Sequence, residues 1–359
     1  MIKLLQPTYD DVFSYKHLFL SYKKCLKGVK WKTTVQKYNQ SAISSVYLAY
    51  KSLKERKVKT GQFFHFTIME RGKVRDIKSV RIAERVIQRC FCDYCLVPIL
   101  SSKFIYDNSA CIKEKGMHFS IKRLIANYHR YNKIHNDFNG YVLQFDFHHF
   151  FDTIPHKELI AMVGNEIIDR DLGNIFAQLV NDFPTDKGLG LGSQISQISA
   201  LYYPHSIDNV FANDNKLFAY ARYMDDGYIM CKSKEKLQEC KNKLYEITSV
   251  LKLELNDNKT RIYKMSCCME FLKARIKLRN NGDITTKPNR KNITRNRRKL
   301  KKLKDMNSQG LIEYANIDMI FKTTYGNFQN FDAYKSKENY KQLYVNLFQG
   351  GNNNVVCCM

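Results

Sequence analysis

Apolar and polar positions repeat with two periods along this chain, and each change of period marks an element. In residues 61–77, GQFFHFTIMERGKVRDI, aromatic and β-branched residues broken at Arg71–Gly72 predict β structure with a turn. The next stretch switches to spacings of three and four at Ala83, Val86, Ile87, Cys90 and Phe91, which predicts a helix ending near Pro98. YVLQFDF at 141–147 predicts a strand, and Pro155 the first turn of a helix. In 217–232 two apolar runs, KLFAYARYM and GYIMC, flank Asp225–Asp226 with Gly227 beside them, the pattern of a β-hairpin with an acidic tip. An amphipathic helix then places Leu237, Cys240, Leu244, Ile247 and Leu251 on one face. No repeat at solenoid or propeller spacing is present.

Composition narrows the partners. Lys plus Arg is 59 against 34 Asp plus Glu in 359 residues, a net charge of +25 that excludes a typical acidic metabolic enzyme and points to a polyanion. Hydrophobic content of 44% and aromatic content of 13% exclude wholesale disorder. No apolar run approaches the ~18–20 residues of a membrane span. The start MIKLLQPTYDDVF has acids where a signal peptide needs an apolar core. Eleven cysteines then read as reduced thiols of a cytoplasmic protein. Cys90, Cys92 and Cys95 lie on the helical pattern without a second ligand pair and read as buried small hydrophobes, not a zinc site. Lys23, Lys24, Lys27, Lys30 and Lys32 surround Trp31, the only tryptophan. From Lys287 to Lys304 there are ten Lys or Arg and no acid, which marks a change of domain. The tail QGGNNNVVCCM reads as flexible.

The chemistry rests on acids. Nucleotidyl transfer by a polymerase uses two divalent ions about 4 Å apart, one activating the attacking 3′-hydroxyl and one holding the triphosphate. Magnesium takes only one or two carboxylates beside water and phosphate. Asp146, at the end of a predicted strand, and Asp225–Asp226, at a hairpin tip, supply such a set if their strands share a sheet. Asp152 reads as a helix N-terminal or structural acid, and His148 and His149 beside Asp146 leave a zinc reading open on the residues alone.

These residues carry a family resemblance. ARYMDDGYIM around 223–226 resembles motif C of reverse transcriptases, QFDFHHFFDTI at 144–154 motif A, and LGSQISQ at 191–197 stands in the place of motif B. ELNDNKT at 254–260 is similar to motif D, FLKARI at 271–276 to the primer-grip strand, and KVRDI at 73–77 with ERVIQR at 84–89 to the fingers pattern. The matches keep the family's order and cover roughly residues 60–280. The resemblance implies an α+β right-hand polymerase: a basic N-terminal extension at 1–45, fingers at 46–140 with part of 156–190, a palm with an antiparallel sheet at 141–286, a basic helical thumb at 287–347 and a flexible tail at 348–359.

By the same resemblance, Asp146 and Asp225 hold two Mg2+ ions, with Mn2+ as a substitute, Asp226 supports them and Phe147 lends its carbonyl. Lys259 is the candidate general acid for the leaving pyrophosphate. Phe151 falls at the steric gate that excludes a 2′-hydroxyl, and Lys73 and Arg75 fall at the triphosphate clamp, with Leu191 and Gly192 beside the incoming nucleotide. Arg290, Arg295, Arg297, Arg298, Lys299, Lys301 and Lys302 would run along template–primer phosphates. Leu191 stands where most group II intron and retron-like enzymes have Gln, and Gln197 where they have Pro, a variant associated with diversity-generating retroelements and defence-associated bacterial relatives. Asp76 replaces the usual fingers Pro and Lys273 the primer-grip Gly. The implied partners are an RNA template, including a dedicated non-coding RNA, a DNA or RNA primer, deoxynucleoside triphosphates, and an accessory protein or second copy; no membrane is implied. The implied setting is antiphage defence in a bacterium or phage. Two alternatives stand beside it: mutagenic cDNA synthesis in a diversity-generating retroelement, and an inactive RNA-binding scaffold with a polymerase fold.

Overall fold

The computed structural model describes residues 6–70, 73–279 and 282–349, apart from the side chains of Glu70, Lys73 and Arg75. The predicted turn at Arg71–Gly72 and the tail beyond 349 lie outside the described residues. By its contacts the chain forms two compact units, one from 1–114, 143–229 and 235–261, the other from 115–142, 230–234 and 262–359. Residues 262–286 therefore group with the basic segment rather than apart from it.

The N-terminal segment folds as helices α1 (Tyr9–Val12), α2 (Tyr15–Cys25), α3 (Thr33–Gln40) and α4 (Ala42–Lys54). It is not an appendage to the first unit: Val12, Leu18, Val46 and Leu53 have no exposed surface, and the Tyr9 N–H donates to the Asp169 carboxylate at 2.8 Å. Strands β1 (Phe63–Glu70) and β2 (Lys73–Val80) pair antiparallel over the predicted β region, with Phe63 opposite Val80 and Glu70 opposite Lys73.

The following helix departs from its prediction. α5 (Ile82–Phe91) leads into a π-helical segment, Cys92–Leu96, and then α6 (Val97–Ser101), so the helix passes through Pro98. The Val97 N–H reaches back to the Cys92 carbonyl across the wide turn, and Pro98 falls in the first turn of α6, where a missing N–H is tolerated. Ala83 is exposed, and Glu84 is buried instead, accepting from the Gly61 and Gln62 N–H groups at 3.2 and 3.3 Å. Cys90, Cys92 and Cys95 have no exposed surface, and burial pushes all three thiols up, as expected of packing residues.

After α7 (Met117–His135) come β3 (Tyr141–Asp146), α8 (Phe150–Thr153), α9 (His156–Gly164), α10 (Arg170–Asn181), α11 (Gln194–Tyr202) and α12 (His205–Ala212). Pro155 is the N-cap of α9, one place before the first turn. Next are β4 (Ala219–Tyr223), β5 (Asp226–Cys231), α13 (Lys234–Val250) and β6 (Arg261–Lys264). β5 lies between β4 and β3 in the sheet. α13 buries Leu237, Cys240 and Leu244 as predicted, with Thr248 completing the face and Ile247 half-buried.

In the second unit β7 (Met269–Phe271), β8 (Ala274–Leu278) and β9 (Ile284–Pro288) form a three-stranded antiparallel sheet. It is followed by α14 (Arg290–Ser308), α15 (Tyr314–Asn327) and α16 (Tyr334–Phe348). Leu300 and Leu303 of α14 pack with Ile317, Phe321, Tyr340 and Tyr344 into this unit's core, where the Phe321 and Tyr344 rings stack at 3.9 Å. No helix among the described residues is long and apolar enough to cross a membrane.

Candidate active site

β3 is an apolar strand that ends on an acid. Val142, Leu143 and Phe145 are fully buried, and Asp146 follows with 4% exposure. On neighbouring β5 the first residue is Asp226, and Met224–Asp225 make the turn from β4. Met224 takes φ +55, a left-handed conformation costly for a side chain without local polar partners, so the turn must be held from outside. Gly227 does not supply that conformation. It lies within β5, where an added Cβ would sit 2.2 Å from the Phe145 ring.

The hold on the turn is a buried ion pair. Arg222 and Asp208 have no exposed surface, and the guanidinium donates to both Asp208 oxygens at 2.7 and 2.6 Å. Its remaining donors reach the Met224 carbonyl at 2.9 Å and the Leu201 carbonyl at 2.8 Å, tying the turn to the end of α11. The Tyr220 hydroxyl and the Asn108 amide also donate to Asp208, so no charge is left unpaired. Sequence reasoning missed this network. Its signal was an arginine inside the apolar run AYARYM, which requires a buried acid somewhere in the fold.

The turn and β3 are joined directly, with the Phe147 N–H donating to the Asp225 carbonyl at 3.2 Å. The chain after α13 closes the other side. The Asn256 N–H donates to the Asp146 carbonyl at 2.8 Å, and Lys259 Nζ sits 2.7 Å from Asp146 Oδ2. Asp226 shares a hydrogen bond with Asp146, and its carboxyl is pushed up to about 8 by burial first, then by the charges of Asp225 and Asp146, with Lys259 opposing. Burial pulls the Lys259 ammonium down, but its hydrogen bond to Asp146 and the three acids outweigh this and hold it above its ordinary value.

Three carboxyl groups thus crowd around Lys259, and the rise at Asp226 reflects that crowding together with burial. Among the described residues no group of three His, Cys, Asp or Glu side chains is gathered as a ready metal cage. Magnesium does not need one, since one or two carboxylates with water and phosphate complete its octahedron, and the oxygen-only donors of Asp146 and Asp225 suit such a hard cation.

These groups open into a cavity of about 670 Å3. Asp146, Phe147, Asp225 and Lys259 line it, together with Phe151 and Leu191. Asp226 does not reach the lining and sits behind it. Phe151 is half-buried with its ring edge-on to Phe150, and its carbonyl accepts from the Leu189 N–H at 2.7 Å. From β2 the lining residues are Val74, Asp76 and Lys78; Lys73 and Arg75 lie on the same strand, but their side chains are outside the described residues. Gly192, at φ +99, lines instead a smaller cavity of about 190 Å3 with Arg85 and Arg89. Asn256, Lys78 and Lys187 are lining residues that sequence reasoning did not single out. His148 and His149 also line the cavity, each beside an acid, Glu254 at 3.6 Å and Asp152 at 3.4 Å. Arg290, Arg295, Arg297, Arg298, Lys299, Lys301 and Lys302 all stand exposed on α14 in the second unit.

The profile of the family described as reverse transcriptase (RNA-dependent DNA polymerase) matches residues 69–276. That segment contains every residue lining the aspartate cavity. Among curated proteins, none matches the chain. With the match spanning more than half of its length, the chain belongs to the reverse transcriptase family of RNA-directed DNA polymerases, which are nucleotidyltransferases.

Proposed function

We propose that this enzyme copies an RNA template into DNA by two-metal nucleotidyl transfer at the Asp146–Asp225 cavity, in a right-hand layout with residues 46–140 and part of 156–190 as fingers, 141–286 as palm and 287–347 as thumb. The observation that carries the reading is the convergence of Asp146 and Asp225 on one cavity with Lys259 held on Asp146. Two divalent ions bound by Asp146 and Asp225, with the Phe147 carbonyl and Asp226 in support, would supply Lewis acidity to the attacking and leaving oxygens.

The protein's own groups do the rest. Asn256 holds Asp146 at two points, its N–H on the Asp146 carbonyl and its side-chain amide donating to Asp146 Oδ1 at 3.4 Å. Lys259, released from Asp146 when the acids are neutralised, is free to give its proton to the departing pyrophosphate. Phe151 fills the space that a ribose 2′-hydroxyl would need. α14 binds template–primer phosphates without regard to sequence. We read the setting as antiviral defence in a bacterium or phage from the motif B variant alone, Leu191 and Gln197, which resembles that of defence-associated relatives. The same aliphatic side chain, which cannot hydrogen-bond the nucleotide, also favours the second reading, mutagenic cDNA synthesis in a diversity-generating retroelement.

The test is extension of a labelled primer on an RNA template with deoxynucleoside triphosphates. We expect a DNase-sensitive product whose formation stops with EDTA and returns with Mg2+. Extension unaffected by EDTA, or none on any template, would overturn the reading.

A further inference from the structure

A second concentration of positive charge lies in the N-terminal helices, and neither the cavity nor α14 uses it. Between Val12 and Lys54 the chain has nine lysines and no Asp or Glu. α2 packs against α5 and α4 and spends its apolar positions there, burying Leu18 and Tyr22 and leaving its lysines to solvent. Lys24 is paired with Asp93 at 2.7 Å. Lys23, Lys27, Lys30, Lys32 and Lys37 are exposed, and among the described residues none of these five makes an ion pair.

The turn between α2 and α3 displays an aromatic ring in the middle of this charge. Gly28 takes φ +75, which lets the chain reverse, and the Lys32 N–H donates to the Val29 carbonyl at 3.0 Å. Trp31 is 74% exposed. Its indole N–H donates to the Gly28 carbonyl at 3.2 Å, and the Lys32 ammonium lies 5.5 Å from the ring centre. The indole is therefore tethered at one edge with its bulk in water, amid cations that repel one another until a polyanion neutralises them.

We propose that the α2–α3 turn binds unpaired RNA outside the catalytic cavity, with a base stacked on Trp31 and backbone phosphates held by Lys23, Lys27, Lys30 and Lys32. An aromatic face among lysines is the chemistry of single-strand binding, since every base has a π-face and phosphates give affinity without sequence. An anionic lipid surface fits less well, because interfacial anchoring needs several apolar side chains on one face. In the turn itself Leu26 and Val35 are buried and Val29 half-buried, which leaves Trp31 the one large apolar side chain exposed between residues 26 and 37. The exposed Ile43, Tyr47 and Leu48 belong to α4, a separate helix without a lysine between residues 42 and 50. The inference rests on the reading of the enzyme as RNA-templated, and it adds a foothold for template outside the segment matched by the family profile.

Because Trp31 is the only tryptophan, its emission reports on this turn alone. The full-length protein is titrated with a single-stranded RNA oligonucleotide of mixed sequence, following Trp31 emission and the anisotropy of a label on the RNA together. We expect quenching that tracks binding. The surface variant Lys27→Glu, Lys30→Glu, Lys32→Glu should bind more weakly and flatten the salt dependence by roughly 0.7 in log–log slope per lost contact. Trp31→Ala should lose roughly tenfold in affinity, with Trp31→Phe keeping most of it. Extension of a primer on a template too short to reach beyond the cavity should stay at the wild-type rate in all these variants.

RNA binding with unchanged Trp31 emission, or a triple variant with the wild-type salt slope, would overturn the proposal. Quenching by phosphatidylserine vesicles but not by RNA would overturn it in favour of a lipid surface. Quenching by RNA in a protein that extends no primer would uphold the site while removing the reading of the enzyme as a polymerase of RNA templates.

Discussion

Arg222 touches none of the cavity, yet the position of Asp225 depends on it. Its guanidinium holds the Met224 carbonyl, the peptide group that leads into Asp225, across a turn whose φ of +55 is unfavourable by itself. Arg222→Met should destabilise the protein by about 3–5 kcal/mol, because Asp208 is left buried without its counter-charge. Pairing it with Asp208→Leu should restore much of that stability, read by urea denaturation. Primer extension should stay depressed, since the Met224 carbonyl is still unheld; full recovery of activity in the double variant would assign the pair to packing alone. Phe151 makes a second claim at this scale. Phe151→Val should raise ribonucleotide use relative to deoxyribonucleotide use in single-nucleotide extension. An unchanged ratio would make its half-buried ring a packing residue and place sugar selection elsewhere.

At the level of elements, the parts that patterning made legible are those carried by a short apolar run or by aromatic residues at period two. β1–β2, β3 and the β4–β5 hairpin follow their predicted bounds within three residues, because each carries a run of apolar or aromatic side chains bounded by polar residues. The helix through Pro98 was not legible, since a π-turn depends on tertiary packing around Cys92 and Cys95 and leaves no periodic trace. Asn256 and Lys259 lie between α13 and β6, where no periodicity exists to place them, and only the resemblance marked Lys259. α14 was legible as a charge run, and the structure adds that its buried positions, Leu300 and Leu303, leave the basic residues outside. Reversing three of Arg295, Arg297, Arg298 and Lys301 to Glu should weaken template–primer binding equally for all sequences. Each lost phosphate contact should lower the log–log salt slope by roughly 0.9 on duplex DNA. A slope equal to wild type would return α14 to an ordinary solvated face.

Across the whole molecule, the excess of 25 positive charges is distributed over surfaces rather than spent in the core. α14 from Arg290 to Lys304 and the α2–α3 turn carry cations with no acid among them in sequence, whereas Asp146, Asp225 and Asp226 gather around Lys259. That contrast fits an enzyme that grips a polyanion broadly and reserves negative charge for the point where cations and a triphosphate must meet. On the proposed reading the aspartate cluster performs the chemistry while other surfaces perform the binding. Single-turnover nucleotide incorporation by Asp225→Asn tests it most directly, run beside template–primer affinity and circular dichroism on the same preparation. The account predicts that incorporation is lost while affinity and fold are kept, because the change removes an anionic oxygen and no core contact. Incorporation at the wild-type rate would contradict it.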